Sequence, residues 1–392
     1  MPAGQESRAS AEAVPFRIHI EEDVLHDLHT RLAMVRWPRM TPSTDWADGV
    51  DSAYLRRLVD YWRSGYDWRS QESLLNRYQQ YTMLIDGLRV HYVHHRARNG
   101  SGIPLLLGHG WPSTFAEYLP LVRILTEPKS VGLPGPAFDV IVPSLPGYGF
   151  SDRPDRRDVN YRFVADLWHR LMRNLGYQRF GVGGDDFGAG VATLLALEHP
   201  ESVIGVHLTH PEITPYLGPG APPLTDAETA YREEARLFYQ TDSGFHAIQA
   251  TRPTTLAYGL DDSPVGLAAW IVDKWHAWTD HRENFESYLS RDLLLTTIMI
   301  YWATGTLSTS IRDYSDNTAF PPALTQTSRV TTPTAFALFR NYRRSPGVPP
   351  REWLERLYDV TRYQVFDRGG HFAPVEVPKP VAEDIVRFFA EL

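Results

Sequence analysis

The stretch Gly181-Val182-Gly183-Gly184-Asp185-Asp186-Phe187-Gly188-Ala189-Gly190 constrains this chain more than any other. An apolar run, Arg179 to Gly183, leads into it, and a helical run, Ala189 to His199, leads out. A strand that turns at once into a helix crowds the residue at the turn. Small residues are needed two positions before and two after it, and its own side chain is left standing above the sheet on a strained backbone. Asp186 meets that demand with Gly184 and Gly188, whereas Asp185 has bulky Phe187 two positions on. Taken alone, the same letters also fit a glycine-rich turn with a capping aspartate.

The surrounding pattern says which sheet this turn belongs to. Apolar runs at Ile103–Leu107, Phe138–Val142, Arg179–Gly183 and Val203–Leu208 alternate with helical segments, which predicts a parallel sheet with helices on both faces. An Asp86-Gly87 turn between two β-like runs predicts a hairpin before them. Ligands of such sheets bind beyond the carboxyl ends of the strands, where His109, Pro143 and Asp186 fall. Residues 1–14 read as a disordered leader, and 15–80 as an N-terminal extension packed on the core. Residues 81–212 read as the first half of the sheet domain. The aromatic-rich helical segment 213–325 reads as a lid, and 326–392 as the second half, with strands at Val330–Phe339 and Tyr363–Phe366 and a last helix from Pro380. The fold class is α/β.

Composition removes several kinds of chemistry. The chain has no cysteine, which excludes disulfides, Cys-ligated zinc, iron–sulfur clusters and a thiol nucleophile. With 39 Lys and Arg against 47 Asp and Glu, the net charge of −8 offers no general attraction to nucleic acid or anionic lipid. No signal-peptide core and no run of 18 apolar residues is present, so a cytoplasmic protein without membrane spans is expected. Asp185-Asp186 and Asp261-Asp262 lack a third ligand at metal spacing. No dinucleotide or phosphate-loop fingerprint occurs, so no cofactor and no metal is expected.

Asp186 acquires a partner in His371, which lies in Asp367-Arg368-Gly369-Gly370-His371-Phe372 just beyond the last strand. A nucleophile after one strand and a histidine after the final strand is the chain order of α/β-hydrolases. Around these two residues stand Arg36-Trp37-Pro38, His109-Gly110-Trp111-Pro112, the segments Pro143–Ser151, Asp262–Ile271 and Tyr301–Thr306, and Arg368–Phe372. In these motifs and their order the sequence resembles the microsomal-type epoxide hydrolases, α/β-hydrolases with an N-terminal meander and a helical lid. Some members serve actinobacterial antibiotic pathways, including those of enediynes, and the Arg-, Ala- and Pro-rich style suits such a source. The resemblance implies an epoxide and water as the partners, and it allows a homodimer. It also implies a covalent ester at Asp186 that His371-activated water hydrolyses. A serine at this turn would instead form an ether that water does not cleave.

The resemblance assigns oxyanion donors to the N–H groups of Trp111 and Phe187 and a cis bond before Pro112. It gives the ring-opening phenol to Tyr314 and places Trp111 and Phe245 against the substrate. Two departures stand out. The family's first lid tyrosine falls on Phe245; Tyr239, six residues upstream, is the candidate substitute, and otherwise Tyr314 acts alone or with water. The family's acid after the strand ending at Phe339 is absent from Arg340-Asn341-Tyr342-Arg343. Glu212, close to the end of the Val203–Leu208 strand, is then the candidate orienter of His371, with Asn341 and Glu352 as alternatives. Two rival functions remain open at this point. One is a haloalkane dehalogenase, disfavoured because Phe187 offers no indole N–H to a halide. The other is a noncatalytic binding protein of the same fold, disfavoured by the presence of both Asp186 and His371.

Overall fold

Asp86 and Gly87, with φ of 49° and 81°, close the tight turn between β2 (Gln80–Ile85) and β3 (Leu88–His95). Two residues of positive φ are what a right-handed hairpin twist requires. β1 (Val14–Phe16) pairs with the far edge of β2, and β3 joins the main sheet through β5 (Phe138–Pro143), all antiparallel. From β5 onward the sheet is parallel and runs through β4 (Ile103–Gly108), β6 (Phe180–Gly184), β7 (Val203–Leu208), β8 (Val330–Phe339) and β9 (Tyr358–Phe366). The nine strands lie in the order β1-β2-β3-β5-β4-β6-β7-β8-β9, so the expected parallel sheet is mixed, with three antiparallel strands at one end. The structure, a computed structural model, describes residues 12–39, 46–280, 285–341 and 347–392. Residues 1–11 of the expected leader, and Tyr342 and Arg343 among the residues searched for an acid, lie outside the described residues.

The central strands are apolar because both faces are covered. Leu105, Val140, Ile141, Val142, Phe180 and Val182 are fully buried. The helices Tyr161–Asn174 and Asp186–Glu198 pack together, as do Leu119–Thr126 and Pro378–Ala390. Asn160 starts the first of these by accepting the N–H of Phe163 at 3.1 Å, a side-chain cap for one of the four donors a helix leaves unpaired.

Between β7 and β8 the chain makes a run of helices from Asp226 to Ala319. The N-terminal segment is tied to this run. Arg31 pairs with Asp262, Tyr61 donates to Asp292 at 2.6 Å, and the Tyr66 hydroxyl meets that of Thr296 at 3.0 Å. Among the described residues no helix is long and apolar enough to cross a membrane.

Candidate active site

β4 and β6 are neighbours where the order of connection reverses: the chain leaves β4 to one side for β5 and returns on the other side as β6. That reversal opens a crevice beyond their carboxyl ends. The Asp186–Glu198 helix starts directly at the end of β6. A side chain on Gly184 would fall on the backbone of Gly188, and one on Gly188 would fall on the carbonyl of Gly108 in β4. Asp186 itself has φ 45°, the left-handed region that a non-glycine residue adopts at a cost of about 1–3 kcal/mol.

The strained turn lifts the Asp186 carboxyl into a cavity of about 670 Å³. Oδ1 accepts the backbone N–H of Phe187 at 2.7 Å and that of Trp111 at 3.1 Å. Oδ2 faces Nε2 of His371 at 3.6 Å. The Trp111–Pro112 bond is cis. Asp185 points elsewhere: it is 1 % exposed and accepts the Tyr118 hydroxyl at 2.8 Å. The two adjacent aspartates therefore do different things, one held in the core and one presented to the cavity.

His371 sits in a loop whose N–H groups are all taken. Gly369 donates to Asp280 at 2.9 Å, and Gly370 and Phe372 donate to Glu376 at 3.1 and 3.0 Å. His371 N–H itself donates to the Trp278 carbonyl at 2.8 Å. Burial holds the His371 imidazole well below its usual range, with nearby His210 adding to the effect, so the ring is a neutral base. Burial pushes the Asp186 carboxyl up to about 8; Glu212 adds to the rise, while His210 and the Trp111 N–H oppose it.

Tyr314, 7 % exposed, stands edge-on to Phe187 (4.9 Å), Trp111 (5.7 Å) and Phe245 (5.8 Å) between ring centroids. Its phenol is raised well above 10, chiefly by burial, and keeps its proton as a donor. Phe245 lies parallel to Trp111 at 5.8 Å and against Trp278 at 5.2 Å, so a ring without a hydroxyl fills this corner.

Tyr239 is 55 % exposed, packs against Phe238 and His246, and lines the same cavity as Tyr314. Glu212 lines the cavity, but its carboxylate accepts the Tyr161 hydroxyl at 2.6 Å and meets His210 Nε2 at 3.3 Å. His210 in turn lies 5.3 Å from the His371 ring and accepts the Asp186 N–H through Nδ1 at 3.4 Å. Glu212 and the His371 side chain thus lie on either side of His210, a residue two positions from Glu212 that the sequence did not single out. The alternatives are engaged elsewhere: Glu352 accepts the Thr225 hydroxyl, and the Asn341 amide donates to the Asp367 carbonyl.

Of the lid aromatics, Phe238, Tyr239, Phe245 and Trp278 line the cavity. Tyr258 is 80 % exposed, and Trp275 is buried with its ring stacked on Phe372.

A mixed sheet with a carboxylate at its strand-to-helix turn and a histidine after its last strand defines an α/β-hydrolase that forms an ester on its own aspartate. Comparison with known proteins gives the family. Residues 13–118 match the family described as "Epoxide hydrolase N terminus", and residues 103–326 match the alpha/beta hydrolase fold. Epoxide hydrolase 1 of Oryctolagus cuniculus is 35% identical over 402 residues, covering 95% of this chain and 88% of that protein. Epoxide hydrolase 1 of Sus scrofa is 34% identical, over 100% of this chain and 92% of its own length. The structure of Aspergillus niger epoxide hydrolase superposes with a TM-score of 0.83 at 28% identity, covering 98% of both chains. The chain belongs to the epoxide hydrolases and is an enzyme of that activity.

Proposed function

We propose that this hydrolase converts a bulky or aryl epoxide to its vicinal diol through an ester on Asp186. The carrying observation is the division of labour on one carboxyl, Oδ1 under two backbone N–H groups and Oδ2 facing His371 Nε2. Oδ2 attacks a ring carbon. The C–O bond of the ring breaks with its electron pair on oxygen, and Tyr314 gives that oxygen a proton. Water then attacks the Asp186 carbonyl carbon as His371 takes its proton, and charge collects on Oδ1 beneath Trp111 and Phe187 N–H. Collapse expels the second alkoxide, which takes the proton held by His371. The regenerated carboxyl returns its remaining proton to the Tyr314 phenolate, so water supplies both hydrogens of the diol. Glu212 acts on the base at one remove, with its negative charge one ring away across His210.

The cavity size and its walls of Phe187, Phe238, Phe245 and Trp278 support a large, flat or branched substrate. With His371→Gln and styrene oxide, mass spectrometry of the intact protein should find a stable adduct that maps to the peptide bearing Asp186. Within the same assay, Glu212→Gln with His371 intact should lengthen the life of the ester without slowing its formation. Label on Asp185, or chloride release from a chloroalkane with no diol from any epoxide, would overturn the proposal.

A further inference from the structure

An epoxide oxygen leaving with its electron pair gains most when two donors meet it, because a single buried hydrogen bond neutralises only part of the developing charge. Tyr314 supplies one. The other corner of the cavity holds Phe245, whose ring lies parallel to Trp111 and carries no donor. The next residue in the Gly244–Thr251 helix is different. His246 is half-buried, lines the same cavity as Asp186 and Tyr314, and stands edge-on to the Tyr314 ring at 5.2 Å and 86°. Successive helical residues are turned about 100° from each other. The same turn of helix therefore sends Phe245 to the Trp111 wall and His246 to the Tyr314 wall.

We propose that His246 is the second ring-opening donor, a catalytic residue that takes over the task of a phenol missing at Phe245. This rests on the epoxide-opening reading of the site given above. Its imidazole N–H and the Tyr314 hydroxyl converge on the epoxide oxygen. Tyr314 transfers its proton and His246 keeps its own, donating only a hydrogen bond, so the proton balance of the reaction is unchanged. The groups around the imidazole suit a neutral donor. The rings of Tyr239, Phe245 and Tyr314 face it, and Glu212 is the carboxylate within electrostatic reach. Burial lowers the imidazole below its usual range against the opposing pull of Glu212, and a neutral imidazole always carries one N–H.

The test isolates ester formation. In the His371→Gln protein, where the ester accumulates, the rate of adduct formation with styrene oxide is followed by rapid quench in the parent, in His246→Phe, in His246→Leu, and in His246→Phe combined with Phe245→Tyr. Removing the donor should slow alkylation by about 10²-fold in both single variants, the size seen when one oxyanion donor is lost. Restoring a phenol at 245 should recover most of that loss, an outcome that a merely structural role for His246 does not produce. Alkylation at the parental rate in a His246 variant whose circular dichroism matches the parent would overturn the proposal. So would a slow variant that Phe245→Tyr leaves as slow. If the parent itself forms no ester with any epoxide, the proposed function fails instead, and the two failures are told apart by that first measurement.

Discussion

At the scale of single residues, the site is governed by how many charges one buried corner tolerates. Asp186 must be ionised to attack, yet burial and Glu212 raise it from 3.8 to about 8. The sign follows directly: below pH 8 the protonated, unreactive form dominates, and each unit of pH gained returns about tenfold in nucleophile until the carboxyl is fully ionised. Single-turnover alkylation of the His371→Gln protein should therefore climb from pH 6 to about 8 and then level. A flat profile over that range would show that the carboxyl is ionised throughout. The same shift acts on stability. A carboxyl raised in the folded state contributes stability below its unfolded value, and that contribution is lost as pH rises through 8. Asp186→Asn should accordingly be more stable than the parent at pH 9, with the gap closing toward pH 4. This is the usual exchange of stability for a reactive group.

At the scale of elements, the loop 369–372 shows how a flexible glycine pair becomes a rigid mount. Asp280, following one lid helix, and Glu376, in the turn after the loop, collect N–H groups on either side of His371. Glu376 takes three donors, including the Asp280 N–H at 2.8 Å, and an amide in its place has only one acceptor oxygen. Glu376→Gln should lower unfolding stability by about 1–3 kcal/mol, the cost of leaving a buried donor unpaired, as read by denaturant titration. Ester hydrolysis should slow while ester formation stays near the parental rate, since only hydrolysis uses the base.

What the letters revealed, and what they hid, divides along the same line. The strand-to-helix turn at Asp186 was legible because its glycines are a local steric demand, and His371 because the final strand precedes it. The start of β9 was not. Residues Tyr358 to Arg362 mix charge with apolar side chains, as an edge strand paired on one side only can, and the apolar run alone pointed to Tyr363. Nothing local to His210 announces that it touches both Glu212 and the Asp186 backbone. Those contacts are made by the packing of β6 beside β7.

At the scale of the whole molecule, the N-terminal segment braces the lid helices Pro253–Asp262, Pro264–Trp278 and Arg291–Thr304. Trp62, 1 % exposed, is buried on the Ser52–Ser64 helix whose Tyr61 reaches Asp292. Trp62→Ala should cost about 3–5 kcal/mol, measured by thermal or denaturant unfolding. An unchanged midpoint would mean that the brace carries no load. The position of the base in the chain has one more consequence. A ribosome makes Trp111, Asp186 and Tyr314 before it makes β9, and His371 comes only after that strand. On the mechanism proposed above, an ester formed on Asp186 without His371 has no base to discharge it. A polypeptide cut between β8 and β9 that still held its Asp186 turn would then be spent on the first epoxide it met, a sponge used up one molecule at a time. On that mechanism, turnover is conferred by the loop that follows the last strand.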